Sequence, residues 1–162
     1  MNTTTDRIEK TVLLRAPQEK VWAAIGDAHT FGKWFGMEFD GAFAPGKRVG
    51  GTIVPTIVDP EVARMQEPYR GHPAEFFIER IDPPRCFSFR WHPFALDKSI
   101  DYSKEPMTLV TFELESVADG TRVRIVESGF DGIPLARRAD AFEANEEGWT
   151  LMVSMLEKFV AS

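Results

Sequence analysis

The sequence predicts an α+β domain: a curved antiparallel sheet of six to seven strands wrapped around one long C-terminal helix, with two short helices after the first strand. Two patterns predict it. Residues 134–160 open with Pro134 and meet no helix breaker except Gly148, while Phe142, Trp149, Met152, Val153, Leu156 and Val160 recur at three- and four-residue steps. At about 1.5 Å per residue this is a helix of roughly 40 Å with one apolar stripe. Upstream, several segments alternate apolar and polar residues with period two, as half-buried strands do. A one-sided sheet and a one-sided helix each bury their apolar face most simply against the other.

The elements follow in order. Residues 7–16 alternate with Ile8, Val12 and Leu14 on one parity, so they read as the first strand. Pro17 then opens a helix that carries Val21, Trp22 and Ile25 on one face and ends near Gly26-Asp27. A second short helix spans Thr30 to Phe35 and closes at Gly36; its Phe31, Trp34 and Phe35 crowd three aromatics into five residues, which must face a shared interior. The remaining strands are expected at 37–42, 49–57, 74–81, 86–92, 108–116 and 122–128. Asp82-Pro83-Pro84-Arg85 and Asp119-Gly120 have hairpin turn chemistry. The longer connections 58–73 and 93–106 carry prolines and mixed charge, and long loops beside an apolar interior are candidate gates.

Composition narrows the classes. The 162 residues fit one domain, 1–162, with 43% hydrophobic and 27% charged residues. The 19 basic and 25 acidic residues give a net charge of −6 without a basic stripe, which argues against a nucleic-acid partner. No window is apolar for long enough to insert into a membrane. Met1 to Asp6 lack a basic region followed by an apolar core, so no secretory signal is expected. A lone Cys86 cannot form an intrachain disulfide, and a cytoplasmic location is the expectation.

No metal or cofactor site is expected. His29, His72 and His92 lie far apart at no metal spacing, and Gly50-Gly51 lacks the Lys-Ser/Thr and helix of a phosphate loop, so it reads as a bend or bulge. Cys86 reads as a small apolar filler, no Ser sits in a strand-to-helix elbow, and no catalytic residue is assigned. Two constellations remain. Glu127 follows Val123 and Ile125 on the inward parity, where a carboxylate is partly desolvated and needs a partner, with Arg80, Arg90 and His92 as candidates. An ion pair at a cavity mouth, an anchor for a ligand head group and a general base are the three roles open to it. The second set, Trp34, Phe35, Met37, Phe39, Phe89, Trp91, Phe112, Phe130, Trp149, Met152 and Met155, has the residue types that line an apolar ligand site and equally those that fill a core.

The opening strand, Ala16-Pro17 with Val21-Trp22, the Trp34 segment, Asp82-Pro83-Pro84-Arg85 leading to Phe89-Arg90-Trp91, Glu127-Ser128-Gly129-Phe130 and Gly148-Trp149 together resemble the family of activator-of-heat-shock-ATPase homologues. That family lies within the START-like, helix-grip superfamily SRPBCC. The resemblance covers nearly the whole chain and implies the helix-grip fold. It also implies binding of a small hydrophobic or amphipathic ligand, lipid-, polyketide- or aromatic-like, between sheet and helix. The site would comprise Trp34, Phe35, Met37, Phe89, Trp91, Phe112, Glu127, Phe130, Trp149 and Met152. Two alternatives stand beside it: a cyclase- or hydrolase-like enzyme using Glu127 or a His as base, and a co-chaperone-like protein that contacts a chaperone ATPase. Whether the chain forms a homodimer is open.

Overall fold

A computed structural model of the chain describes residues 7–96 and 99–161. The N-terminal hexapeptide read for a leader lies outside these residues, as do Asp97 and Lys98 of the second long connection.

The expected architecture is found. Strand β1 (Arg7–Leu14) is followed by helices α1 (Gln18–Ile25) and α2 (Ala28–Phe35), then β2 (Met37–Phe39) and β3 (Arg48–Ile53). A third short helix, α3 (Pro60–Gln66), precedes β4 (Pro73–Asp82), β5 (Cys86–Trp91), β6 (Thr108–Val117) and β7 (Gly120–Ser128). The chain ends in α4 (Leu135–Ala161), 27 residues long. All seven strands form one antiparallel sheet in the order β1-β7-β6-β5-β4-β3-β2.

Local chemistry sets the helix ends. Asp27 caps α2 by accepting from the Thr30 amide at 2.9 Å and its hydroxyl at 2.8 Å, satisfying donors that have no helical partner. Gly36 ends the helix at φ 96°, a left-handed conformation that glycine adopts without a Cβ clash. The buried stripe of α4 is Ala141, Trp149, Met152, Met155, Leu156 and Val160. It joins Val110, Phe112, Val123 and Ile125 of the sheet in one core.

Several boundaries differ from the sequence reading. β2 stops at Phe39, and β3 ends at Ile53 because 54–57 turn toward α2. There the Val54 amide donates to the Gly36 carbonyl at 3.1 Å, and the Ile57 amide donates to the Lys33 carbonyl at the same distance. The connection 58–73 holds α3, whose start Asp59-Pro60-Glu61 is a cap, a first-turn proline and an acid; the Asp59 carboxylate accepts from the Glu61 amide at 2.8 Å. Gly50-Gly51 is not a bulge. It lies in regular register, and a Cβ on Gly51 would meet the Glu38 carbonyl at 2.4 Å, so glycine permits the close approach of β2. The bulge lies in β4 instead: Ile78 faces Phe89 while Ile81 faces Phe87, so three steps on β4 match two on β5.

Candidate functional site

Sheet and α4 stand apart at one end of the molecule and enclose a cavity of about 910 Å³. One wall is Ala144, Asn145, Gly148, Trp149 and Met152, which recur along α4 at helical spacing; the opposite wall includes Phe35, Met37, Ile53, Ala74 and Trp91. Gly148 leaves room where a side chain would protrude, since a Cβ built there meets nothing within 4 Å. The mouth lies between the α3 segment, with Gln66 and Tyr69, and the β5–β6 connection, with Phe94, Leu96, Ile100 and Tyr102. The two rims are tied together by the His72 Nε2 contact to the Ala95 carbonyl at 2.8 Å. Arg137 of α4 holds the second rim: it donates to Glu105 at 2.6 Å and to the Pro93 carbonyl at 3.0 Å, and its guanidinium lies 4.7 Å from the Tyr102 ring centre.

Behind the wall sits Glu127, 0% exposed. Its Oε1 accepts from Trp149 Nε1 at 2.8 Å and from Asn145 Nδ2 at 2.8 Å. Its Oε2 accepts from Trp91 Nε1 at 2.7 Å, Thr108 Oγ1 at 2.6 Å and, more weakly, Asn145 Nδ2 at 3.1 Å. An indole nitrogen can only donate, so each carboxyl oxygen is held as an acceptor. No cation pairs with this group among the described residues. Burial pushes the Glu127 carboxyl above its ordinary value, against the opposing pull of its four hydrogen-bonding partners.

None of the expected basic partners reaches Glu127. Arg90, opposite in parity to the buried Phe87 and Phe89 of β5, pairs with Glu79 at 3.1 Å on the solvent side of the sheet. Arg80 would share the inward parity of Phe76 and Ile78, but the β4 bulge turns it out to Asp82 at 3.2 Å. His92 lines the cavity, and its Nδ1 is the one buried side-chain polar atom without a hydrogen-bond partner among the described residues. Burial pushes the His92 imidazole below its ordinary value, keeping it neutral.

Of the ten residues named from sequence, Phe35, Met37, Trp91, Trp149 and Met152 line the cavity, and Glu127 stands directly behind Trp91 and Trp149. The other four are packed elsewhere. Trp34 is fully buried with its Nε1 donating to the Ala24 carbonyl at 2.8 Å, and Phe89 stacks on Phe76 at 3.9 Å. Phe112 is fully buried behind the cavity wall, 5.8 Å from the Trp149 ring and 6.0 Å from Phe31 of α2; Phe130 packs on Phe142 at 5.2 Å. Sequence reasoning missed Asn145, Thr108 and the mouth residues. The signal for Asn145 was its place three and four residues before Gly148 and Trp149. No metal-binding cluster occurs among the described residues, and no helix is long and apolar enough to cross a membrane. Cys86 is buried and unpaired, and burial pushes its thiol up.

Comparison with known proteins agrees with this architecture. Protein MLL2253 from Mesorhizobium loti superposes with a TM-score of 0.70 at 21% identity, covering 96% of each chain. Protein Ms6760 from Mycobacterium smegmatis gives 0.69 at 16% identity, over 99% of this chain and 94% of the other. The Aha1 dimer from Colwellia psychrerythraea gives 0.65 at 17% identity, over 93% and 92%. These likenesses establish the helix-grip fold. No curated protein matches the chain by sequence. The sequence profile described as Activator of Hsp90 ATPase homolog 1-like protein matches residues 15–161, and the chain belongs to that family.

Proposed function

We propose that this chain binds a small hydrophobic or amphipathic molecule, lipid-, polyketide- or aromatic-like, between its sheet and α4. The carrying observation is the cavity of about 910 Å³, walled by Phe35, Trp91, Trp149 and Met152 and kept open at Gly148. That volume lies in the range of ligand sites, about 300–1,000 Å³. Apolar burial supplies about 2.5 kcal/mol for each hundred or so square ångströms of ligand covered, and a few polar groups orient the guest.

The catalytic alternative is weaker. With Glu127 as base it lacks a path to a substrate atom, since Glu127 is 0% exposed and its contacts among the described residues are to protein donors. With a His as base it rests on His92, which lines the cavity with an unpartnered Nδ1, and loss of a turnover in His92→Ala with the fold intact would support it. A reducing compartment fits the unpaired Cys86. The Colwellia relative is a dimer. A homodimer is therefore the association state to test, by light scattering, while retention of a chaperone ATPase in a pull-down would support the co-chaperone reading.

The deciding experiment is native mass spectrometry of freshly purified protein, followed by thermal shift with a panel of lipids, polyketides and aromatics. A co-purifying small molecule, or a panel member that raises Tm in a saturable way, supports binding. A protein that carries no guest and responds to none of the panel overturns it.

A further inference from the structure

The chemistry of the cavity wall narrows the guest further. No Lys or Arg lines the cavity among the described residues, while Glu75 does. Of the described cations near it, Arg137 is paired with Glu105 at 2.6 Å, and Arg48 lies 3.7 Å from Glu75 with both side chains exposed. His92 is held neutral by burial, and His72 is bonded to the Ala95 carbonyl. An anionic head group would therefore meet no counter-charge among the described residues to offset its desolvation cost.

Three further features favour a cation that donates hydrogen bonds. Phe35, Trp91 and Trp149 form a triangle of rings with centres 5.9–6.0 Å apart and mutual tilts of 41–49°. All three line the cavity, Trp149 with only 2% of its surface exposed behind the other two, and aromatic rings attract cations within about 6 Å. Both indole N–H groups donate to Glu127, which fixes the two rings in place at the cavity wall. The same carboxylate fixes Asn145: its amide nitrogen spans both carboxyl oxygens at 2.8 and 3.1 Å. The Asn145 carbonyl oxygen is thereby left as an acceptor without a partner among the described residues, on a residue that lines the cavity.

We infer that the cavity selects an aliphatic or aromatic amine: an apolar body carrying a protonated ammonium group, received by the Phe35–Trp91–Trp149 wall and by the Asn145 carbonyl. This rests on the binding function proposed above. Glu127 acts as a positioning residue, since it touches the indoles and Asn145 and not the guest.

The test is a matched series of ten-carbon chains, decylammonium, 1-decanol and decanoate, titrated at neutral pH by calorimetry. Decylammonium is expected to bind about tenfold more tightly than decanol, the size of a desolvated cation–π contact, with decanoate weakest. Binding of all three without discrimination, or best binding of decanoate, overturns the head-group inference and leaves the cavity reading standing. No binding by any of them overturns both. The net charge of −6 could attract the amine to the surface, so Gly148→Leu is measured in parallel. Loss of decylammonium binding there supports the cavity as its site, and retention refutes it. Asn145→Leu should bring the ammonium-to-alcohol ratio close to one, and an unchanged ratio removes Asn145 from the site.

Discussion

Gly148 gives the sharpest test of whether the space beside α4 is a cavity or part of the packed core. It lies within a 27-residue helix, where glycine is about 1 kcal/mol less favourable than alanine. A Cβ at this position meets nothing within 4 Å, so Gly148→Ala recovers that penalty without a steric cost. In a domain of this size, about 1 kcal/mol moves Tm by roughly 2–4 °C, and Gly148→Ala should rise by that amount while still binding a neutral apolar dye such as Nile red. Gly148→Leu has nearly the same helix gain, since Leu ranks close to Ala, and its extra carbons project into the cavity beside Trp149 and Asn145. Its Tm should match or exceed that of wild type while Nile red fluorescence falls several-fold. The measurements are differential scanning fluorimetry and dye titration on the same preparations. If both variants melt several degrees below wild type, the position is packed, since overpacking costs about 1–3 kcal/mol, and the cavity reading is refuted.

The other predictions concern the groups around the cavity. Trp149→Ala removes a side chain only 2% exposed and one of the donors to Glu127, and should cost about 3–5 kcal/mol by denaturant titration; a loss under about 1 kcal/mol would contradict its placement. Glu127→Gln presents one acceptor oxygen to two indole N–H groups, so one is left facing an amide N–H, at about 1–3 kcal/mol. Because the folded-state value of Glu127 is raised above its ordinary 4.5, the native state holds more protons than the unfolded state above that pH. Wild type should therefore lose stability from this group as pH rises from 4.5 toward the raised folded value, and the gap to Glu127→Gln should narrow. A gap that widens with pH would mean that the charged form is the stabilised one. Arg137→Ala strands Glu105, whose side chain is 13% exposed, and frees the Pro93 carbonyl. It should cost about 1–3 kcal/mol and speed thermolysin cleavage within 93–106; an unchanged digestion pattern would show that the mouth is held by other contacts.

The sequence by itself determined which way most side chains face. Period two placed Phe87, Phe89 and Trp91 on one side of β5 and Glu127 inward behind Val123 and Ile125; the three- and four-residue steps of α4 placed Trp149 and Met152 toward the sheet. These are local geometric facts, fixed by backbone repeats, and they survive folding wherever the repeat is unbroken. Where it breaks, the reading fails, as at Arg80, which one extra residue in β4 turns to solvent.

Only the tertiary structure decided what lies in front of an inward side chain. Phe89 and Trp91 share a parity, yet Phe89 is covered by Phe76 while Trp91 borders open space, because α2 fills one half of the interior and leaves the other to the gap under Gly148. Glu127 was legible as a buried carboxylate in need of partners. Its partners are two indoles, a hydroxyl and an amide brought from β5, β6 and α4 by sheet register and helix placement. Sequence spacing carries no measure of the distance between a sheet and the helix that crosses it, and that distance turns the same aromatic residues into core or into a cavity wall.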